Sequence, residues 1–185
     1  MRVFAALPLP RPAVEAIRQS IAAVRKERPR LRWVSEQAYH VTLHFFGEVE
    51  EEAVDGLRRV FEDPRLKRSV LVVRFGPIGQ FPTGGTPRVV WIALSEEGGE
   101  LRSYWELFES AVAPLGWMPD RRGFTPHVTL ARNPGLHLPQ EWDSAVTSPE
   151  LQFAITECVL FQSILGRGGS EYVRLKSVPF DGGTT

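Results

Sequence analysis

Cysteine is almost missing from this chain: among 185 residues there is one, Cys158. No internal disulfide can form, and no cysteine-based zinc site can be assembled. Cys158 lies in the apolar run Ile155–Phe161, where a buried structural thiol is expected rather than a nucleophile. Lysine is scarce too, present only at Lys26, Lys67 and Lys176. Net charge is absent, with 22 basic residues against 22 acidic ones. That balance excludes a whole-protein basic field for gripping long nucleic acid. The basic residues are mostly arginines, whose planar forks suit phosphate or carboxylate. Long apolar runs are also missing. Pro8 and Pro10 break the N-terminal one too early for a signal peptide, so a cytoplasmic protein without membrane contact is expected. The length suits one domain with a sizeable core.

Histidine occurs four times, and two of the four open the same phrase: His-Val-Thr-Leu begins at His40 and again at His127. Around the first copy the residues alternate. Val41, Leu43 and Phe45 fall on one face of a strand, and His40, Thr42 and His44 on the other. An apolar strand over Val3–Leu9, ended by proline, precedes it, followed by a helix with Val14, Ile17, Ile21 and Val24 on one side. A second helix is expected after Gly47, acidic at its start and basic later, as the helix dipole favours, and then a strand from Ser69. The Gly/Pro-rich stretch 77–88 reads as a long hairpin or a hinge between lobes. Beyond it the order repeats: a strand at 88–94, a helix carrying Leu101, Tyr104, Trp105, Phe108 and Val112, the second His-Val-Thr-Leu, one or two helical turns at 136–146, and two final strands.

The repeated phrase thus falls at the same place in two similar strings of elements. The expectation is an α+β fold built by fused duplication: two pseudo-symmetric α/β lobes, roughly 1–80 and 85–180, with strand exchange between them left open. Each lobe would hold a mainly antiparallel or mixed sheet with helices outside, around a central cleft. Parallel pairing would account for the near-continuous apolar runs of the outer strands.

Side chains two apart on a strand share a face roughly 6–7 Å apart. His40 and Thr42 therefore project together, as do His127 and Thr129. If the lobes pair about a two-fold, two imidazoles and two hydroxyls converge. One neutral and one protonated imidazole can act as base and acid, and the hydroxyls can donate to phosphate oxygens. A shared metal is disfavoured. His40 and His44 would stand roughly 13 Å apart on a regular strand, and no third ligand has matching spacing. Neither metal nor cofactor is expected, and His137 is expected in solvent.

The chain resembles the 2H phosphoesterase superfamily, in particular the RNA 2′,3′-cyclic phosphodiesterases also called 2′-5′ RNA ligases. The likeness rests on Arg32–Val34, Tyr39–Val49, Arg88–Leu94, Phe124–Arg132 and the terminal pattern Ser163, Gly166, Tyr172. It implies metal-independent hydrolysis of an RNA 2′,3′-cyclic phosphate to a 2′-phosphate, with His127 as the base on water and His40 as the acid on the 3′ oxygen. Ligation would reverse these roles. Thr42, Thr129 and Arg132 would hold phosphate. Regular alternation places Arg132 on the face opposite Thr129, so its role requires a kink near Ala131. Tyr39, Phe46 and Phe124 are candidates for stacking a terminal base, and Arg121 and Arg122 for steering an RNA end. The expected partners are RNA 3′ ends or small cyclic nucleotides, with no obligate protein partner and a monomeric chain. A binding module using the same cleft without chemistry is the alternative, and a different cyclic or linear diester is a third possibility.

Overall fold

A computed structural model describes residues 1–83, 86–120, 123–132, 151–166 and 169–182. His137, Arg121, Arg122 and the helical turn expected at 136–146 lie outside the described residues. Among the described residues nine strands form one sheet: β1 (Arg2–Pro8), β2 (Arg32–Trp33), β3 (His40–Glu48), β4 (Leu71–Phe81), β5 (Val89–Ser95), β6 (His127–Arg132), β7 (Gln152–Ile155), β8 (Glu157–Gly166) and β9 (Gly169–Pro179). The helices are α1 (Arg11–Ser20), α2 (Ala22–Glu27), α3 (Glu51–Val60) and α4 (Glu100–Val112).

The sheet order is β7-β4-β5-β6-β3-β1-β8-β9, with β2 beside β6. Outward from the seam between β3 and β6 it reads β3, β1, β8, β9 on one side and β6, β5, β4, β7 on the other. The fourth strand of each sequence half, β4 or β8, therefore lies against the first strand of the other half, β5 or β1. All strand pairings are antiparallel. The parallel pairing that the apolar runs suggested is not what forms them. β1 is apolar after Arg2, and both faces of that run are covered. Val3, Ala5 and Leu7 join the main core, while Phe4 and Ala6 join a smaller cluster with Val159 and Phe161 on the other side.

The helices pack on the main-core face, where Ile17, Val54, Leu57, Leu101, Tyr104 and Phe108 meet Val41, Leu43, Ile92, Val128 and Leu130. The one helix expected within 11–29 is two, α1 and α2, divided at Ile21. α3 carries Glu51 and Glu52 in its first turn and Arg58 and Arg59 in its last, matching the macrodipole. α4 follows Gly99, whose φ of 75° favours glycine. The Glu96 carboxylate accepts from the backbone N–H groups of Leu101 and Arg102, satisfying two donors that the helix leaves open. The Gly/Pro stretch is a hairpin: β4 runs on to Phe81, which pairs with Val89. Cys158 is fully buried, and burial pushes its thiol up to about 12, so it is a structural thiol. Among the described residues no helix is long and apolar enough to cross a membrane.

Candidate active site

The two repeated phrases meet at the seam. Val41 of β3 pairs with Val128 of β6, and both are buried on the helix side. In an antiparallel pair the flanking residues face each other crosswise, so His40 lies opposite Thr129 and Thr42 opposite His127. All four side chains are half-buried on the face away from the helices.

Each imidazole is fixed in the same way. His40 Nδ1 lies 2.7 Å from the carbonyl of Ala38, and His127 Nδ1 lies 2.7 Å from the carbonyl of Thr125. A carbonyl only accepts, so Nδ1 carries the hydrogen in both rings and Nε2 presents a lone pair. In His40 that Nε2 is 3.1 Å from Thr42 Oγ1, which donates to it. Aromatic rings hold both imidazoles from the sides. Phe4 and Tyr172 lie 5.0 and 5.4 Å from His40, and Phe81 and Trp91 lie 5.3 and 5.7 Å from His127. Burial lowers the pKa of His40 to about 4, against the help of the Ala38 carbonyl and with smaller contributions from Arg132 and His127. His127 is also lowered, again chiefly by burial and secondarily by Arg132. Both rings are therefore neutral at pH 7 in the unliganded protein. Unperturbed values near 6.5 would allow one ring to be protonated near neutral pH; desolvation works against that in both.

Arg132 is exposed and follows the fully buried Ala131, which puts it on the same face as the histidines, and its charge lowers the pKa of both rings. A β-bulge puts it there. β5 pairs Val90 with Ala131 and then Trp91 with Thr129, so Leu130 is an extra residue. Leu130 and Ala131 are consecutively buried, and the alternation resumes one residue late. The kink that Arg132 required is this bulge.

The matching bulge in β3 moves residues the other way. β1 pairs Ala5 with His44 and then Ala6 with Thr42, which makes Leu43 the extra residue. His44 therefore turns to the helix side instead of lying beside His40. Its Nδ1 is 2.8 Å from Glu109 Oε1 of α4, with both side chains buried, and its ring stacks on Phe46 at 4.5 Å. Phe45, expected in the core, instead joins the face of Thr42 and is 51% exposed.

The stacking candidates do not line the site. Tyr39, Phe46 and Phe124 are 3%, 5% and 8% exposed and belong to the main core; Phe124 stacks on Trp105. They are the inward-facing apolar residues of their segments and offer no ring face to a base. The aromatic lining that sequence reasoning missed is Phe4, Phe81 and Trp91. The residue spacing in the hairpin could have found Trp91, which faces Thr129 across β5–β6. Phe81, in the Gly/Pro stretch, gave no such signal.

Paired, carbonyl-pinned imidazoles with hydroxyls opposite and an arginine on the same face form an arrangement suited to in-line displacement at phosphorus. The comparisons with known proteins agree. The family model described as the 2′-5′ RNA ligase superfamily matches residues 9–166, and the chain belongs to that superfamily. The RNA 2′,3′-cyclic phosphodiesterase of Aeropyrum pernix is 33% identical over 156 residues, covering 80% of this chain and 85% of that protein. The crystal structure of TT0787 of Thermus thermophilus superposes with a TM-score of 0.78 at 29% identity, covering 97% of each chain. E. coli LigT complexed with 3′-AMP superposes with a TM-score of 0.76 at 26% identity, over 97% of this chain and 98% of that one.

Proposed function

We propose that the protein hydrolyses 2′,3′-cyclic phosphate ends of RNA to 2′-phosphates, and that the same site run backwards joins ends by a 2′-5′ linkage. The observation that carries this reading is the crosswise quartet of His40, Thr129, Thr42 and His127, set by the pairing of Val41 with Val128. The name of the Aeropyrum pernix relative and the 3′-AMP bound by LigT support an RNA end as substrate.

Water attacks phosphorus in line with the 3′ oxygen. His127 Nε2 takes the proton from the water as its oxygen bonds to phosphorus. The bond from phosphorus to the 3′ oxygen breaks, and His40 Nε2 gives that oxygen a proton. Thr42, Thr129 and Arg132 hold the non-bridging oxygens. His40 must be protonated before this step, and its buried ring is not protonated in the empty cleft at neutral pH. The phosphate anion supplies the missing stabilisation by raising the imidazolium's pKa on binding.

The test is a short RNA ending in a 2′,3′-cyclic phosphate, incubated in excess chelator with wild-type protein or His127→Ala. A 2′-phosphate from the wild type alone is expected. No product from the wild type overturns the reading in favour of nucleotide binding without chemistry.

A further inference from the structure

β3 meets β6 at Val128, and β2 then takes its place beside β6, pairing Arg32 with Arg132 and Trp33 with Ala131. Directly opposed residues of an antiparallel pair project from one face with Cβ atoms about 4.5–5.5 Å apart, and like charges so placed repel. Arg132 faces the histidines, so Arg32 does too. Both are exposed. Some arginines are neutralised by a neighbouring acid: Arg18 by Glu15, Arg58 by Asp55, Arg65 by Asp63 and Arg74 by Glu97. Among the described residues no carboxylate forms an ion pair with Arg32 or Arg132. Two guanidiniums held abreast beside an active site, with no acid paired to either among the described residues, suit an anion with more than one charged centre.

Their position says which. Arg132 is three residues along β6 from Thr129, about 10 Å on a regular strand and less across the bulge. Arg32 lies in the lane that β3 leaves, beyond His40 along β6. An extended RNA strand carries its next phosphate at a separation that this offset and the reach of an arginine side chain can cover.

We propose that Arg32 is a specificity residue that binds the phosphodiester one nucleotide in from the cyclic end, so that the site selects RNA chain ends over cyclic mononucleotides. This rests on the phosphodiesterase reading above and adds the second phosphate to it.

The test compares adenosine 2′,3′-cyclic phosphate with the same nucleotide carrying a 5′-phosphate and with a dinucleotide ending in the cyclic phosphate. Wild type is expected to favour the two substrates with the additional phosphate. Arg32→Gln is expected to lower that preference, as a ratio of kcat/KM values, about tenfold and through KM. Arg32→Lys should keep most of it. The salt dependence of dinucleotide turnover should weaken in Arg32→Gln, because one phosphate contact is lost. An unchanged ratio overturns the proposal, as does an equal loss on all three substrates with a lowered melting temperature, which marks a structural role. A binding arm needs no turnover: the Kd of a 3′-phosphorylated dinucleotide is compared with that of 3′-AMP. If wild type hydrolyses nothing but Arg32→Gln loses the preference for the dinucleotide, the chemistry fails and the phosphate contact stands. If the preference persists, the contact fails.

Discussion

Gly79 lies directly opposite Trp91 in the β4–β5 ladder, and the indole covers it so closely that a Cβ at Gly79 would stand 2.1 Å from Cζ2. The same indole is 5.7 Å from the ring of His127, so a backbone atom of β4 sets the height of the wall beside one imidazole. Gly79→Ala is expected to lift the indole, cost about 1–3 kcal/mol as an overpacking change, and lower kcat as His127 loses its lateral support. Urea denaturation and turnover measured together check this. Wild-type stability and rate in the variant would contradict it.

The histidine pKa values predict how pH acts with and without ligand. His40 titrates near 4 in the folded protein and near 6.5 when unfolded, so between those values the unfolded chain binds the proton more readily. Stability is fully present above the unfolded value and is lost as pH falls from about 6.5 toward 4, by up to about 3 kcal/mol. Inorganic phosphate in the cleft should reverse part of this by favouring the imidazolium. An NMR titration of the His40 ring protons is expected to show a midpoint well below 6 without phosphate and a higher one with it. Identical midpoints would contradict the role given to the anion.

His40→Ala and His127→Ala should each lower turnover by about 10²–10⁴-fold with little change in circular dichroism. Because the two act in one concerted transfer, the double variant should lose much less than the product of the single losses. Additive losses would mean the two rings act in separate steps.

His44 and Glu109 form a buried pair on the other face of the sheet, and Glu109 Oε2 has no partner among the described residues. Glu109→Ala leaves the imidazole Nδ1 buried without its acceptor and is expected to cost about 1–3 kcal/mol. Replacing both with apolar residues, His44→Phe with Glu109→Leu, should recover most of that loss. Denaturation midpoints of the single and double variants decide it.

The parts of the site legible in the sequence were those that depend on composition and repetition. His40 and His127 open identical phrases at equivalent places, and strand periodicity alone puts each beside its threonine. That periodicity fails where a strand takes an extra residue. Leu43 and Leu130 look like ordinary core positions, and nothing in either letter marks a bulge, so His44, Phe45 and Arg132 were each placed on the wrong face by regular alternation. Stacking residues were equally hard to read. Tyr39, Phe46 and Phe124 flank the motifs in sequence but point inward, while Phe4 and Phe81 reach the histidines from strands whose neighbours only the sheet order reveals. Arg32 belongs to a two-residue strand, too short to carry any periodic signal.

The sheet order has a further consequence for how the catalytic pair is maintained. Neither half of the chain contains a complete set of neighbours for its own strands: β8 must come from the far end of the chain to cover β1, and β4 must come from the first half to cover β5. The two copies of the phrase are thus locked by an exchange, like two hands each gripping the other's wrist. Fragments severed between β4 and β5 should each be left with bare strand edges, and should regain structure and turnover only when mixed. An acid and a base held this way need no closing motion to find one another. Drift in either copy is borne by both, which ties the two phrases to a common fate.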